Sequence, residues 1–230
     1  MNDIDIWKLY YPNTNQESHT ISDNTSFTVY SNYFLLSSNF QGLTSGVIYC
    51  STSNINLLHS LCTFIQNSNS QDGGIIHFSC SSSIVQDRFC SINSYSSSNG
   101  EHSYISVSSV EQKSYIIEST LFACGQGSGS GSIFHLYGTE KITSSNISNC
   151  STDQYTGYTL KNGIVIIKSC YFCGNKALSN GICMYHYQTP NSNISNSVFI
   201  ENSATVSSEW SLVFLNSNDL TVSNGSLLIL

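Results

Sequence analysis

Two short apolar bursts recur down this chain at nearly the same interval, one behind the other. The first follows a Gly- or Ser-rich turn, as in Asp72-Gly73-Gly74-Ile75-Ile76-His77-Phe78 and Gly46-Val47-Ile48-Tyr49-Cys50. Its copies start at Val47, Ile75, Tyr104, Ile133, Ile182 and Leu212, at intervals of 28, 29, 29, 49 and 30 residues. A weaker copy at Tyr158-Thr159-Leu160 divides the 49 and brings the mean to 27.5. The second burst centres on Phe34, Phe64, Ile92, Phe122, Ile147, Phe172 and Phe199, at intervals of 30, 28, 30, 25, 25 and 27. Ile117, Ile142, Ile167 and Ile194 stand five residues before that marker, and Asn67, Asn175 and Asn202 three after it. Cys150 and Gly125 take the latter place in two other copies.

Bursts of four to six residues are too short for a helical stripe. The residues between them are Ser, Thr and Asn, which compete with a helix for backbone hydrogen bonds. A β-sandwich would also show frequent turn signals. It would not require one residue class at one place in every 27 residues. A solenoid does, because equivalent positions stack one strand spacing apart. The expectation is therefore an all-β, single-stranded parallel β-helix of about seven coils over residues 25–230. The aromatic segment 1–24, with Trp7, Tyr10, Tyr11 and Pro12, matches no later unit and is expected to cap it.

Only 9% of residues are charged, with 40% apolar, so solubility rests on 46 Ser, 16 Thr and 24 Asn. The net charge of −7 and a single arginine, Arg88, leave no basic stripe for nucleic acid or for a polybasic membrane contact. Nine cysteines, an odd number at irregular spacing, do not make the framework of a small disulfide-stapled domain. Met1-Asn2-Asp3-Ile4-Asp5 has neither the basic nor the apolar region of a signal peptide, and no run is long enough to span a membrane. The apolar end, Ser226 to Leu230, reads as a coil cut short or a bare cap.

Units such as Lys168-Ser169-Cys170-Tyr171-Phe172-Cys173-Gly174-Asn175-Lys176-Ala177, followed by Ser179-Asn180-Gly181-Ile182-Cys183, resemble right-handed parallel β-helix repeats. So does Asn196-Ser197-Val198-Phe199-Ile200-Glu201-Asn202-Ser203-Ala204. They are similar to the Ser/Asn/Cys-rich repeats of polymorphic-outer-membrane-protein-like surface proteins, abundant in trichomonad protists, within the wider pectin-lyase-like group. The resemblance covers about residues 26–226. It implies a three-faced helix, a place at the cell surface or outside the cell, and an adhesive or structural role.

The second and fourth residues of each opening strand share a face and are expected inside: Ile48/Cys50, Ile76/Phe78, Ile105/Val107, Phe134/Leu136, Cys183/Tyr185 and Val213/Leu215. The third residues, Tyr49, His77, Ser106, His135, Met184 and Phe214, are expected outside. There Tyr49, His77 and His135 would form a contact strip for carbohydrate or for a host or cell-surface protein. Asp72 and Glu101 each stand three residues before an opening strand, which would stack their carboxyls about 5 Å apart, the separation in a retaining glycosidase. That pair makes a polysaccharide-acting enzyme the alternative to a non-enzymatic module. Paired aspartates and a Gly-His-Gly are missing, as are phosphate loops and nucleophile elbows. Cys170 and Cys173 would point to opposite faces of a strand, so they cannot clasp a metal together. No cofactor or metal is expected, and the chain is expected to be a monomer.

Overall fold

The protein is described by a computed structural model over residues 3–21, 23–125, 129–178, 182–187, 191–204, 213–216, 220–224 and 226–228. It is a parallel β-solenoid. One coil shows the plan. The strand Ile76–Ser79 runs along an opening wall, Ile84–Asp87 along a middle wall, and Cys90–Ile92 along a closing wall. The chain then returns to the opening wall at Ser103–Ser106. The three walls hold eight, nine and eight strands among the described residues. Within each wall, inner strands pair in parallel with their counterparts in the coils before and after them, as Ile76–Ser79 does with Ile48–Cys50 and Ser103–Ser106.

Two of the corners turn on a single residue. Between the middle and closing walls stand Ser37, Leu61, Arg88, Glu118, Ser144, Ser169, Asn196 and Asn224, all left-handed, with φ from 46° to 56°. Such a conformation costs a non-glycine residue about 1–2 kcal/mol. What offsets the strain is that the corner amide stays in the ladder: Leu61 N donates to Asp87 O and Arg88 N to Ile117 O. The next corner repeats the device at Gly42, Gln66, Asn93, Ala123, Asn149, Gly174 and Glu201.

Side chains stack inside by rows. On the closing wall the inward row is Phe40, Phe64, Ser91, Leu121, Ile147, Phe172 and Phe199. Phe40 and Phe64 stack at 5.6 Å, and Phe172 and Phe199 at 4.8 Å. The marker is therefore right at Phe64, Ile147, Phe172 and Phe199. It is one residue late at Ile92 and Phe122, which face outward beside Ser91 and Leu121. Phe34 belongs to the middle wall, paired with Leu58. There the inward row runs through Ile116, Ile142, Ile167 and Ile194, so Ile117 gives way to its neighbour.

Three residues past the closing row, Asn67, Asn175 and Asn202 are buried and form the expected ladder. Each amide NH₂ donates to the preceding coil, at Phe40 O, Ile147 O and Phe172 O. Each amide oxygen accepts a backbone N–H from that coil, at Leu43, Cys150 and Asn175. Cys124, not Gly125, holds this inward place in its coil, one residue earlier like its marker.

The opening wall departs most from the expected register. Ile76 stands against Ser103, then Ile133 and Tyr158. The row expected through Ile76, Ile105 and Phe134 is instead Phe78, Ile105 and His135. The reason is buried polarity. His102, Ser103 and Ser132 are wholly enclosed, so the strand begins on residues that read as turn. A two-residue slip leaves Ile105 on the inner face, but the one-residue slip at Phe134 exchanges faces. His135 is thus inside and Phe134 outside. Tyr185 is likewise outside, paired with Thr159. The weak copy at Tyr158 is a full strand, Tyr155–Lys161. The side chains of Cys183, Met184, Val213, Phe214 and Leu215 lie outside the described residues.

A helix, Asp3–Tyr10, lies on the outer face of the middle wall. Ile6, Trp7 and Tyr11 close over Phe34, Leu58 and Val85. The Tyr11 hydroxyl donates to the carbonyls of Leu57 and Ser83, at 3.0 and 3.1 Å. Glu17–His19 then adds the first strand of the middle wall, against Tyr33–Leu36.

Candidate functional site: an aromatic ladder and cleft on the opening wall

On the outside of the opening wall one row reads Tyr49, His77, Tyr104 and Phe134. The parallel register brings their rings together. Centroids lie 4.9 Å apart from Tyr49 to His77, 5.2 Å from His77 to Tyr104 and 5.6 Å from Tyr104 to Phe134, with planes within 16° of parallel. Beyond Phe134 the row becomes Thr159 and Tyr185. The Lys161 ammonium bridges this step, 5.0 Å from the Phe134 ring and 5.4 Å from that of Tyr185. Partial burial lowers the Lys161 pKa.

Because the rings face each other, the middle of the ladder presents edges outward. Tyr49 ends the stack among ring neighbours, with Thr28 as its next partner in the row. It is 46% exposed. Beside it lies a shallow cleft of about 200 Å³ lined by Ser26, Thr28, Ser45, Tyr49, Asn69 and His77, among others. The His77 Nδ1 stands 3.3 Å from the Asp72 carbonyl. A carbonyl can only accept, so this contact is a hydrogen bond when Nδ1 carries a proton. Ser26 and Ser45 hydroxyls lie 3.0 Å apart on the cleft wall, and the Asn69 amide is fixed by Gly73 O at 3.1 Å. Aromatic faces edged with hydroxyl and amide groups can hold a ligand that is apolar on one face and hydroxylated at its rim.

Of the expected strip, Tyr49 and His77 are brought together, whereas His135 is not part of it. Its ring is enclosed, 3.0 Å from the Ser114 hydroxyl and 3.3 Å from that of Ser103. Burial holds its pKa down at about 3, so it is neutral. Tyr104 and Phe134 were missed as outer rungs, since a polar strand start hid the phase. The glycine corner fixes part of the register: Gly73 N donates to Asn99 O, and Gly100 N to Ser130 O.

The carboxyls of Asp72 and Glu101 do not form the expected pair. Asp72 aligns with Asn99, and its Oδ1 accepts from the Ser98 hydroxyl, Asn99 N and Asn99 Nδ2, at 2.6, 3.0 and 2.9 Å. Glu101 lies two residues further on. It is wholly buried, and its Oε2 accepts from Ser96 N. Burial pushes its pKa up to about 9, so the carboxyl stays protonated at neutral pH. The Asp72 carboxyl is thus committed to a turn, and the Glu101 carboxyl is sealed in the core.

Other titratable groups fill the interior without reaching the surface. His59 and His102 both direct Nε2 at Gln86 Oε1, 3.2 and 2.9 Å away, and His102 stacks on Phe89 at 4.4 Å. Among the described residues no three His, Cys, Asp or Glu side chains converge as metal ligands, and no helix is long and apolar enough to cross a membrane. Cys170 is buried and Cys173 half-buried, and the Cys170 thiol turns to the carbonyls of Ile142 and Lys168.

Fold and site define a parallel β-solenoid with an aromatic ladder along one outer wall. No family model, curated protein or solved structure matches the chain.

Proposed function

We propose that this chain is a non-enzymatic structural or adhesive module, of the surface-protein kind its repeats resemble, that contacts carbohydrate through the Tyr49–His77 end of the ladder. The observation that carries the reading is the cleft itself. One exposed tyrosine, one histidine and two serine hydroxyls line a space of about 200 Å³. That is smaller than the ~300–1,000 Å³ of an enclosed small-molecule site. It suits one or two sugar units of a longer chain lying along the wall. A sugar ring offers an apolar face to Tyr49 and hydroxyls to His77, Ser45 and Asn69. Such a module works at the cell surface or outside the cell, as a monomer.

A glycan array combined with an assay for reducing ends and unsaturated sugars tests this. Binding to a subset of glycans without release of new ends is expected. Turnover that Asp72→Asn abolishes would overturn the non-enzymatic reading, and a blank array would overturn the carbohydrate.

A further inference from the structure

Cys50 ends the strand Ile48–Cys50, and Cys80 follows Ile76–Ser79 one coil later. Cys50 stands opposite Phe78, so Cys80 lies two residues further along, where the chain leaves the opening wall. Both are buried, yet Cys80 keeps 6% of its surface open at this corner. Their Sγ atoms are 2.8 Å apart. Non-bonded heavy atoms settle at ~3.5–4.0 Å, so the backbone has already brought the two sulfurs inside ordinary contact.

The other described cysteines differ. The thiols of Cys62 and Cys170 point to backbone carbonyls. Cys124 and Cys150, on successive rungs at another corner, also lie within side-chain hydrogen-bond reach of each other. Both, however, are wholly enclosed, and Cys124 Sγ also donates to Ser91 O and Phe122 O and Cys150 Sγ to Ser148 O.

We infer that Cys50 and Cys80 form a site of disulfide modification that staples two successive coils, made by exchange with a low-molecular-weight disulfide of the glutathione type. Cys80, at the open corner, loses its proton, attacks one sulfur of the small disulfide and expels one small thiolate. Cys50 loses its proton and attacks the Cys80 sulfur of the mixed disulfide, expelling the second. Two protein thiols and one small disulfide become one protein disulfide and two small thiols. Cys80 is the first nucleophile because it alone of the pair keeps open surface, whereas Cys50 is wholly buried. The bond would join Cys50, next to Tyr49, to Cys80, three residues past His77, and so hold the first two rungs of the ladder at fixed spacing.

The full chain, refolded in oxidised and reduced glutathione and then alkylated, tests the site by peptide mapping. One cross-linked peptide joining Cys50 to Cys80 is expected, with the other thiols alkylated. Reduction should lower the melting temperature by about 5–10 °C, as expected for a disulfide closing a ~30-residue loop in a chain of this size. Cys50→Ser and Cys80→Ser should each abolish both the cross-link and the shift. Alkylation of both thiols after oxidative refolding would overturn the assignment, as would a bond between Cys124 and Cys150.

Discussion

At the scale of single residues, the interior is held by polar side chains that bond to the coil behind them. Asn175 is the clearest case. Its amide donates to Ile147 O and Asn202 Oδ1, while its oxygen accepts from Cys150 N. Removing it strands two buried backbone groups, each worth about 1–3 kcal/mol when left unpaired. Asn175→Ala should therefore lower the unfolding free energy by about 2–4 kcal/mol in urea titrations; a loss below 1 kcal/mol would show that the ladder is incidental. Glu140 is the opposite case. Its carboxyl is wholly buried, neither oxygen accepts a hydrogen bond, and burial raises its pKa well above the usual range. An uncompensated buried acid destabilises, so Glu140→Met should raise stability at pH 8 by at least about 1 kcal/mol in the same titration.

At the scale of elements, the amino-terminal helix packs on the side of the solenoid. It covers the outer face of the middle wall where Phe34, Leu58 and Val85 would otherwise meet water. Trp7 is its anchor, 6.5 Å from the Phe34 ring, with its indole N–H on Thr14 O. Trp7→Ala should cost about 3–5 kcal/mol and increase binding of an apolar dye, read by fluorescence. Unchanged dye binding would mean that the helix is dispensable. Elements also show how far the sequence can be read. Rows of one residue class, such as Ile142, Ile167 and Ile194 or Asn175 and Asn202, announce themselves by period, and the parallel fold follows from them. Rows that change class do not. Ser91 sits beneath Phe64 in the closing core, and His59 and Gln86 continue the row of Leu35. Hydrophobicity cannot find a wall whose inner face is partly serine, histidine and glutamine, so the phase is lost by one or two residues. A one-residue error exchanges inside for outside. That is why Tyr49 and His77 were legible as surface partners while His135 and Glu101 were misplaced.

At the scale of the whole molecule, the enclosed acids and imidazoles set opposite limits on stability. Burial lowers the pKa of His59 to about 4, of His135 to about 3, and of His102 well below its usual value. The unfolded chain takes up these protons below pH ~6.5 while the folded chain resists them, so stability falls as pH drops through that value. Glu101, raised to about 9, and Glu140, raised well above its usual value, act the other way. The unfolded chain releases their protons above pH ~4.5 and the folded chain does not, so stability falls as pH rises. Thermal unfolding should show a maximum between pH 4.5 and 6.5, nearer the upper limit because three imidazoles oppose two carboxyls. A maximum above pH 7.5 would contradict the buried placement of the acids. The register that seals those groups inside also lines up Tyr49, His77, Tyr104 and Phe134 outside, and the contact surface depends on that alignment. Calorimetric titration of an array-selected oligosaccharide into Tyr49→Ala, His77→Ala and Tyr104→Ala proteins tests it most directly, with Tyr171→Ala as control, since Tyr171 is 41% exposed on the closing wall. Affinity should fall at least tenfold for Tyr49→Ala and His77→Ala, less for Tyr104→Ala, and stay unchanged for Tyr171→Ala. Full affinity in the first two, or its loss in the control, would contradict the account.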